Sequence, residues 1–100
     1  MTNEEKQNAL FGGLVMMFHA AAMQQIGKVK NQLTDKIERD LEQAQVSIDM
    51  LDMIMSKTKG NLAAEEERFI KTMLQELKLN YVEEMNKEKK EDQSEEKGKS

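Results

Sequence analysis

Apolar side chains recur along this chain at intervals of three and four residues, in three blocks separated by polar or glycine-containing stretches. That period belongs to amphipathic helices, and no segment alternates with a period of two, so no strand is expected. The first block predicts a helix over about residues 4–27. Phe11, Val15, Phe18, Ala22, Ile26 and Val29 fall on one stripe, and Leu10, Leu14, Met17 and Ala21 widen it to about half the circumference. Gly12 and Gly13 sit in mid-helix, where each costs about 1 kcal/mol against Ala, a cost tolerated where backbones must come close.

The second block predicts a helix over about 38–58. Asp35 with Glu38, or Asp40 with Gln43, has the spacing of a capping box at its start. Leu41, Ala44, Ile48, Leu51 and Met55 form a heptad-like seam. Lys57-Thr58-Lys59-Gly60 supplies cations for the negative end of the helix dipole and a glycine free to take positive φ. The third helix is expected over about 62–85, beginning at Asn61 or Ala63, with Glu65, Glu66 and Glu67 in its first turns. Its apolar face is Phe69, Ile70, Met73, Leu74, Leu77, Tyr81 and Met85. Short connections make consecutive helices antiparallel neighbours, so residues 1–85 read as one all-α, up-down-up three-helix domain.

These helices carry more apolar surface than three helices can cover. Behind the main stripe of the first helix lie Gly12, Met16, Ala20 and Met23, with His19 at the edge. Behind the seam of the second lie Val46, Met50 and Met53, with Asp49 among them. A helix apolar on every side must be covered on every side. A homo-oligomer, most simply a two-fold dimer, is therefore expected. Its interface would draw on Gly12, Met16, His19, Ala20, Met23, Val46, Asp49, Met50 and Met53. The alternative is a binding module that accepts an apolar helix of another protein, since methionine-rich surfaces adapt to varied partners.

Composition narrows the function. With 100 residues the chain is one domain. It has no Cys and one His, which excludes a disulfide scaffold, a thiolate metal site and any centre built on two imidazoles. A net charge of −4 argues against a nucleic-acid partner. Residues 86–100 hold five Lys, five acids and no apolar side chain, so the whole net charge belongs to residues 1–85. That tail reads as disordered, or as a fraying extension of the last helix. The first residues are net acidic, unlike a signal peptide, and a cytoplasmic protein is expected. Residues 7–27 contain no charge and are long enough to cross a bilayer. His19, Gln24, Gln25 and three glycines argue against a membrane span and for a helix buried against protein.

Candidate chemistry is sparse. No nucleophile–base pair can be named, and no Glu-x-x-His pair exists for a di-iron carboxylate bundle, so no enzyme and no cofactor is expected. The sharpest metal reading places Met16, His19 and Met23 on one side of a helix as a Cu(I) site. A histidine packed at a helix interface is the commoner arrangement, and the copper reading ranks last. Glu65, Glu66 and Glu67 point in different directions and cannot chelate together.

Several runs carry a resemblance. They are Asp40-Leu41 to Ala44, Ile48-Asp49-Met50-Leu51, Lys57-Thr58-Lys59-Gly60-Asn61-Leu62, Glu65-Glu66 and Leu77 to Tyr81-Val82. With Phe11, Leu14-Val15-Met16-Met17 and Ile26-Gly27-Lys28, they resemble a small bacterial all-helical family, domain of unknown function 1844, over residues 9–85. The Lys-Thr-Lys-Gly-Asn-Leu run is the most specific part. Members often carry Pro near Gln32 and Gly near Asp35, which implies an ordered loop over 28–38 and Asp40 as the cap of the second helix. Members often have Ser or Thr at position 63, where this chain has Ala. The resemblance implies no activity and assigns no functional residue.

Overall fold

The computed structural model describes residues 1–98, with side chains through residue 90. Three helices follow one another: α1 (Asn3–Ile26), α2 (Leu41–Lys57) and α3 (Ala64–Gly98). α1 begins at Thr2, whose hydroxyl accepts from the Glu5 N–H at 3.1 Å. It ends at Gly27, which takes φ +92°. There the Gly27 N–H donates to Gln24 O and the Lys28 N–H to Met23 O, both at 3.0 Å, satisfying carbonyls that the helix leaves open.

The first connection is ordered. The Asn31 carboxamide oxygen accepts from the Leu33 N–H at 2.9 Å, and the Asn31 N–H donates to Lys36 O at 2.8 Å. Asp35 closes this turn with φ +58°, a left-handed conformation that glycine adopts without strain. The Asp40 N–H donates back to Gln25 O at 2.7 Å, tying the start of α2 to the end of α1. Of the two candidate caps for α2, Asp40 serves: its carboxylate accepts from the Gln43 N–H at 3.2 Å. The helix therefore begins at Leu41, three residues later than the outer estimate of 38.

α2 ends where its sequence says it should. The Thr58 hydroxyl donates to Ile54 O at 2.7 Å and Gly60 takes φ +89°. α3 starts after Ala63, whose N–H donates to the Glu66 carboxylate at 2.9 Å. Its backbone stays helical through the charged stretch to Gly98. Lys and Glu are strong helix formers, and pairs such as Glu83–Lys87, one turn apart at 3.7 Å, support them. Lys99 and Ser100 lie outside the described residues.

The Ser47 hydroxyl donates to the Gln25 carboxamide at 2.7 Å, so the beginning of α2 lies beside the end of α1 and the two run antiparallel. His19 faces Glu76 and Lys28 reaches Glu84, so α1 and α3 advance together. The order is up-down-up, with each helix packed on the other two. Nine buried residues fill the centre, three from each helix: Val15, Ala22, Ile26; Ala44, Ile48, Leu51; Ile70, Leu74, Leu77. Phe11, Phe18, Met55, Phe69, Met73 and Tyr81 pack around them.

The expected stripes of α2 and α3 are the buried ones. α1 departs from expectation. Leu10, Leu14 and Met17, expected to widen its inner stripe, are exposed, and Val29 lies in the connection with its side chain half in solvent. Val15, Ala22 and Ile26 do mark the centre of the inner face. From that centre α2 covers the flank holding Gln25, and α3 covers the flank holding His19. The buried arc extends toward Gly12, His19 and Met23 instead of toward Leu10 and Met17. A helix that is apolar all round offers no contrast from which to read its inner side.

Candidate interaction surface

α1 presents to solvent a side with no charged residue between Lys6 and Lys28. Leu10 is 63% exposed and Met17 70% exposed, with Leu14, Met16, Gly13 and Ala20 also exposed beside them. An 18-residue stretch of α1 has a mean hydropathy of 1.3, with only 17% of it buried within the chain. By length and composition alone α1 could cross a membrane. The core helix of a soluble protein meets the same criterion, but that helix is mostly buried and this one is not.

The patch continues onto α2. Because α1 and α2 are antiparallel and register at Gln25–Ser47, one turn onward along α2 brings Met50 level with Ala21, one turn back along α1. Val46, Met50 and Met53 are each almost half exposed. Asp49, beside them, is exposed and accepts from the Gln45 carboxamide at 2.9 Å. Among the residues expected at an interface, Met16, Ala20, Val46, Asp49, Met50 and Met53 are on the surface. Gly12, His19 and Met23 are partly covered within the chain, on the flank of α1 that faces α3.

His19 occupies an unusual position. Its side chain is 15% exposed, and its Nε2 lies 3.6 Å from the nearer Glu76 oxygen, beyond hydrogen-bond length. That nitrogen is buried without a hydrogen-bond partner. The nearest carboxylate to it is that of Glu76 on α3. The described residues bring no three His, Cys, Asp or Glu side chains together in a metal-holding group.

Sequence reasoning missed a cluster of charges at one end of the bundle. Glu84 is 7% exposed. One of its carboxylate oxygens accepts from Lys28 Nζ at 3.1 Å and Lys87 Nζ at 3.2 Å, and the other from Arg39 Nη1 at 3.1 Å. Lys28 also reaches Glu83 at 3.1 Å. Burial is the largest influence on Glu84 and favours the neutral acid. The hydrogen bonds from Lys28 and Lys87, with their charges, outweigh it and hold the carboxyl below its ordinary value of 4.5. The hydrogen bond to Glu84, then that to Glu83, raises the Lys28 ammonium above its ordinary value. Lys28 follows α1 and Arg39 precedes α2, so Glu84 fastens both ends of the first connection to α3. One signal was available: Ile70, Leu74, Leu77, Tyr81 and Glu84 step by four and three, which puts a carboxylate on the buried seam. A charge there needs partners.

The described residues offer a large apolar surface and a structural ion cluster. No curated protein and no solved structure matches the chain. A family model does, over residues 8–83, and the chain belongs to that family, DUF1844, a domain of unknown function.

Proposed function

We propose that this protein is a non-enzymatic structural or interaction module that self-associates through the adjoining apolar faces of α1 and α2. The observation carrying this reading is the exposed apolar surface. Leu10, Leu14 and Met17 on α1 and Val46, Met50 and Met53 on α2 are exposed on two antiparallel helices that meet at Gln25–Ser47. The two helices have 24 and 17 residues. At ~1.5 Å rise per residue and ~10 Å across each, they present roughly 600 Å² of side, near the ~800 Å² per partner of a stable interface. That is at the upper end of the apolar patch a monomer leaves in water. The face lies further round α1 than the interface expected from sequence, on the side of Leu10 and Met17.

Met17→Asp and Met50→Asp test it, since each places a carboxylate on the surface without touching the nine-residue core. Light scattering coupled to size exclusion should show both variants shifted to the monomer mass at concentrations where the unaltered chain is a dimer. An unaltered dimer in both variants would overturn the assignment of this face. An unaltered chain that is a monomer and binds a hydrophobic dye would favour a different protein as the occupant.

A further inference from the structure

We infer that the second copy docks in one register, α1 against the partner's α1, antiparallel about a two-fold axis level with Val15. This inference rests on the self-association proposed above and specifies its geometry. Lys6, Leu10, Gly13, Met17, Ala20 and Gln24 are spaced by four, three, four, three and four residues. That is a seven-residue repeat, the pattern of a helix–helix seam, and it lies on the outward side of α1. Leu10, Gly13, Met17 and Ala20 are all exposed.

The order of sizes along this seam decides the direction. In an antiparallel pair centred on Val15, Leu10 meets the partner's Ala20 and Gly13 meets the partner's Met17. Every large side chain faces a small one, the alternation that close packing requires. Lys6 meets the partner's Gln24. A parallel pair would instead set Leu10 on Leu10, Met17 on Met17, glycine on glycine, and one Lys6 ammonium against the other.

Gly13 fits this seam: a Cβ added there would meet nothing within 4 Å, as at Gly12. The fold of the single chain has no use for a glycine at this position, and glycine weakens a helix interior relative to alanine. An approaching Met17 from a second copy gives the missing side chain a purpose. The same two-fold axis places both α2 helices on one side of the seam, where Met50 and Met53 flank it and extend the buried area. A lipid surface would also accept an uncharged helix face, but it would not call for this alternation of sizes.

Disulfide trapping tests the register, because the chain has no cysteine of its own. L10C and A20C are oxidised singly, as an equal mixture, and combined in one chain, and the products are resolved without reductant. Identical positions in the antiparallel pair are ~15 Å apart along the seam, beyond the ~7 Å span of a disulfide. Covalent dimer should form in the mixture and the double variant, at least tenfold above either single variant. Crosslinking of L10C alone as strongly as the mixture would overturn the inference in favour of a parallel pair. A dimeric unaltered chain with no crosslink in any arm would overturn the register and leave self-association standing. A monomeric unaltered chain would overturn both. If that monomer also co-sedimented with phosphatidylcholine–phosphatidylglycerol vesicles, the face would belong to lipid.

Discussion

Gly27 lies against Arg39 so closely that a Cβ on Gly27 would come within 3.3 Å of the Arg39 Cβ. The same glycine holds φ +92° to close α1. Backbone conformation and side-chain packing thus demand glycine together, and the packing sets Arg39 beside Glu84. Gly27→Ala is expected to destabilise the protein by about 2 kcal/mol, combining the left-handed cost of an L-residue with displacement of Arg39. Urea unfolding followed by far-UV circular dichroism measures it. A loss under about 0.5 kcal/mol would show that the connection tolerates another closure.

Glu84 makes stability depend on acid pH. Its carboxyl titrates below its ordinary value in the folded protein. Below that folded value both states hold the proton, and above the ordinary value neither does. The contribution is therefore present in full above about 4.5 and is lost as pH falls through the lowered folded value. Glu84→Gln is expected to cost about 1–3 kcal/mol at neutral pH, because it leaves the cations of a buried network without their counter-charge. The gap between the two proteins should close as pH falls through that lowered value. Urea midpoints at several pH values check both the size and the direction.

Ala63 occupies the position before α3 with half of a capping arrangement in place: its N–H donates to the Glu66 carboxylate at 2.9 Å. The other half needs a side-chain oxygen, which Ala lacks. Ala63→Ser should supply it and raise stability by about 1 kcal/mol. Thermal unfolding of the two proteins at equal concentration makes the comparison, and an unchanged or lowered midpoint would contradict the cap.

Much of this fold is legible in the sequence, and the rest fails for physical reasons that can be named. Asp40, Thr58-Lys59-Gly60 and the seam of α2 are local signals, complete within a few residues, and the structure uses each of them. The inner side of α1 is a local signal only at its centre, where Phe11, Val15, Phe18, Ala22 and Ile26 step by four and three and do face the core. How far the buried arc extends to either side, leaving Leu10, Leu14 and Met17 exposed, is decided by contacts with α2 and α3. The ion cluster joins Lys28, Arg39 and Glu84, residues far apart in the chain, and only its seam position marks Glu84 as buried. The turn around Asn31 depends on a left-handed Asp35, which the resemblance to members carrying glycine near that position anticipates.

Gly13 separates the stability of the chain from its association. Since a Cβ there meets nothing within the chain, Gly13→Ala should stabilise the unassociated protein by about 1 kcal/mol through helix propensity. At the proposed seam the same methyl group would stand where a second copy packs closest, and self-association should weaken about tenfold. Urea unfolding at low concentration and sedimentation at high concentration read the two effects separately. Equal gains in both would show that nothing approaches Gly13.

On the function proposed above, a second copy of the chain covers the apolar faces of α1 and α2. Sedimentation equilibrium of the unaltered 100-residue protein, in buffer without detergent and from about 1 to 100 μM, addresses it most directly. The expected result is a mass approaching twice that of the chain, 11.5 kDa, with dissociation only at the lowest concentrations. A single-chain mass across the whole range would contradict it.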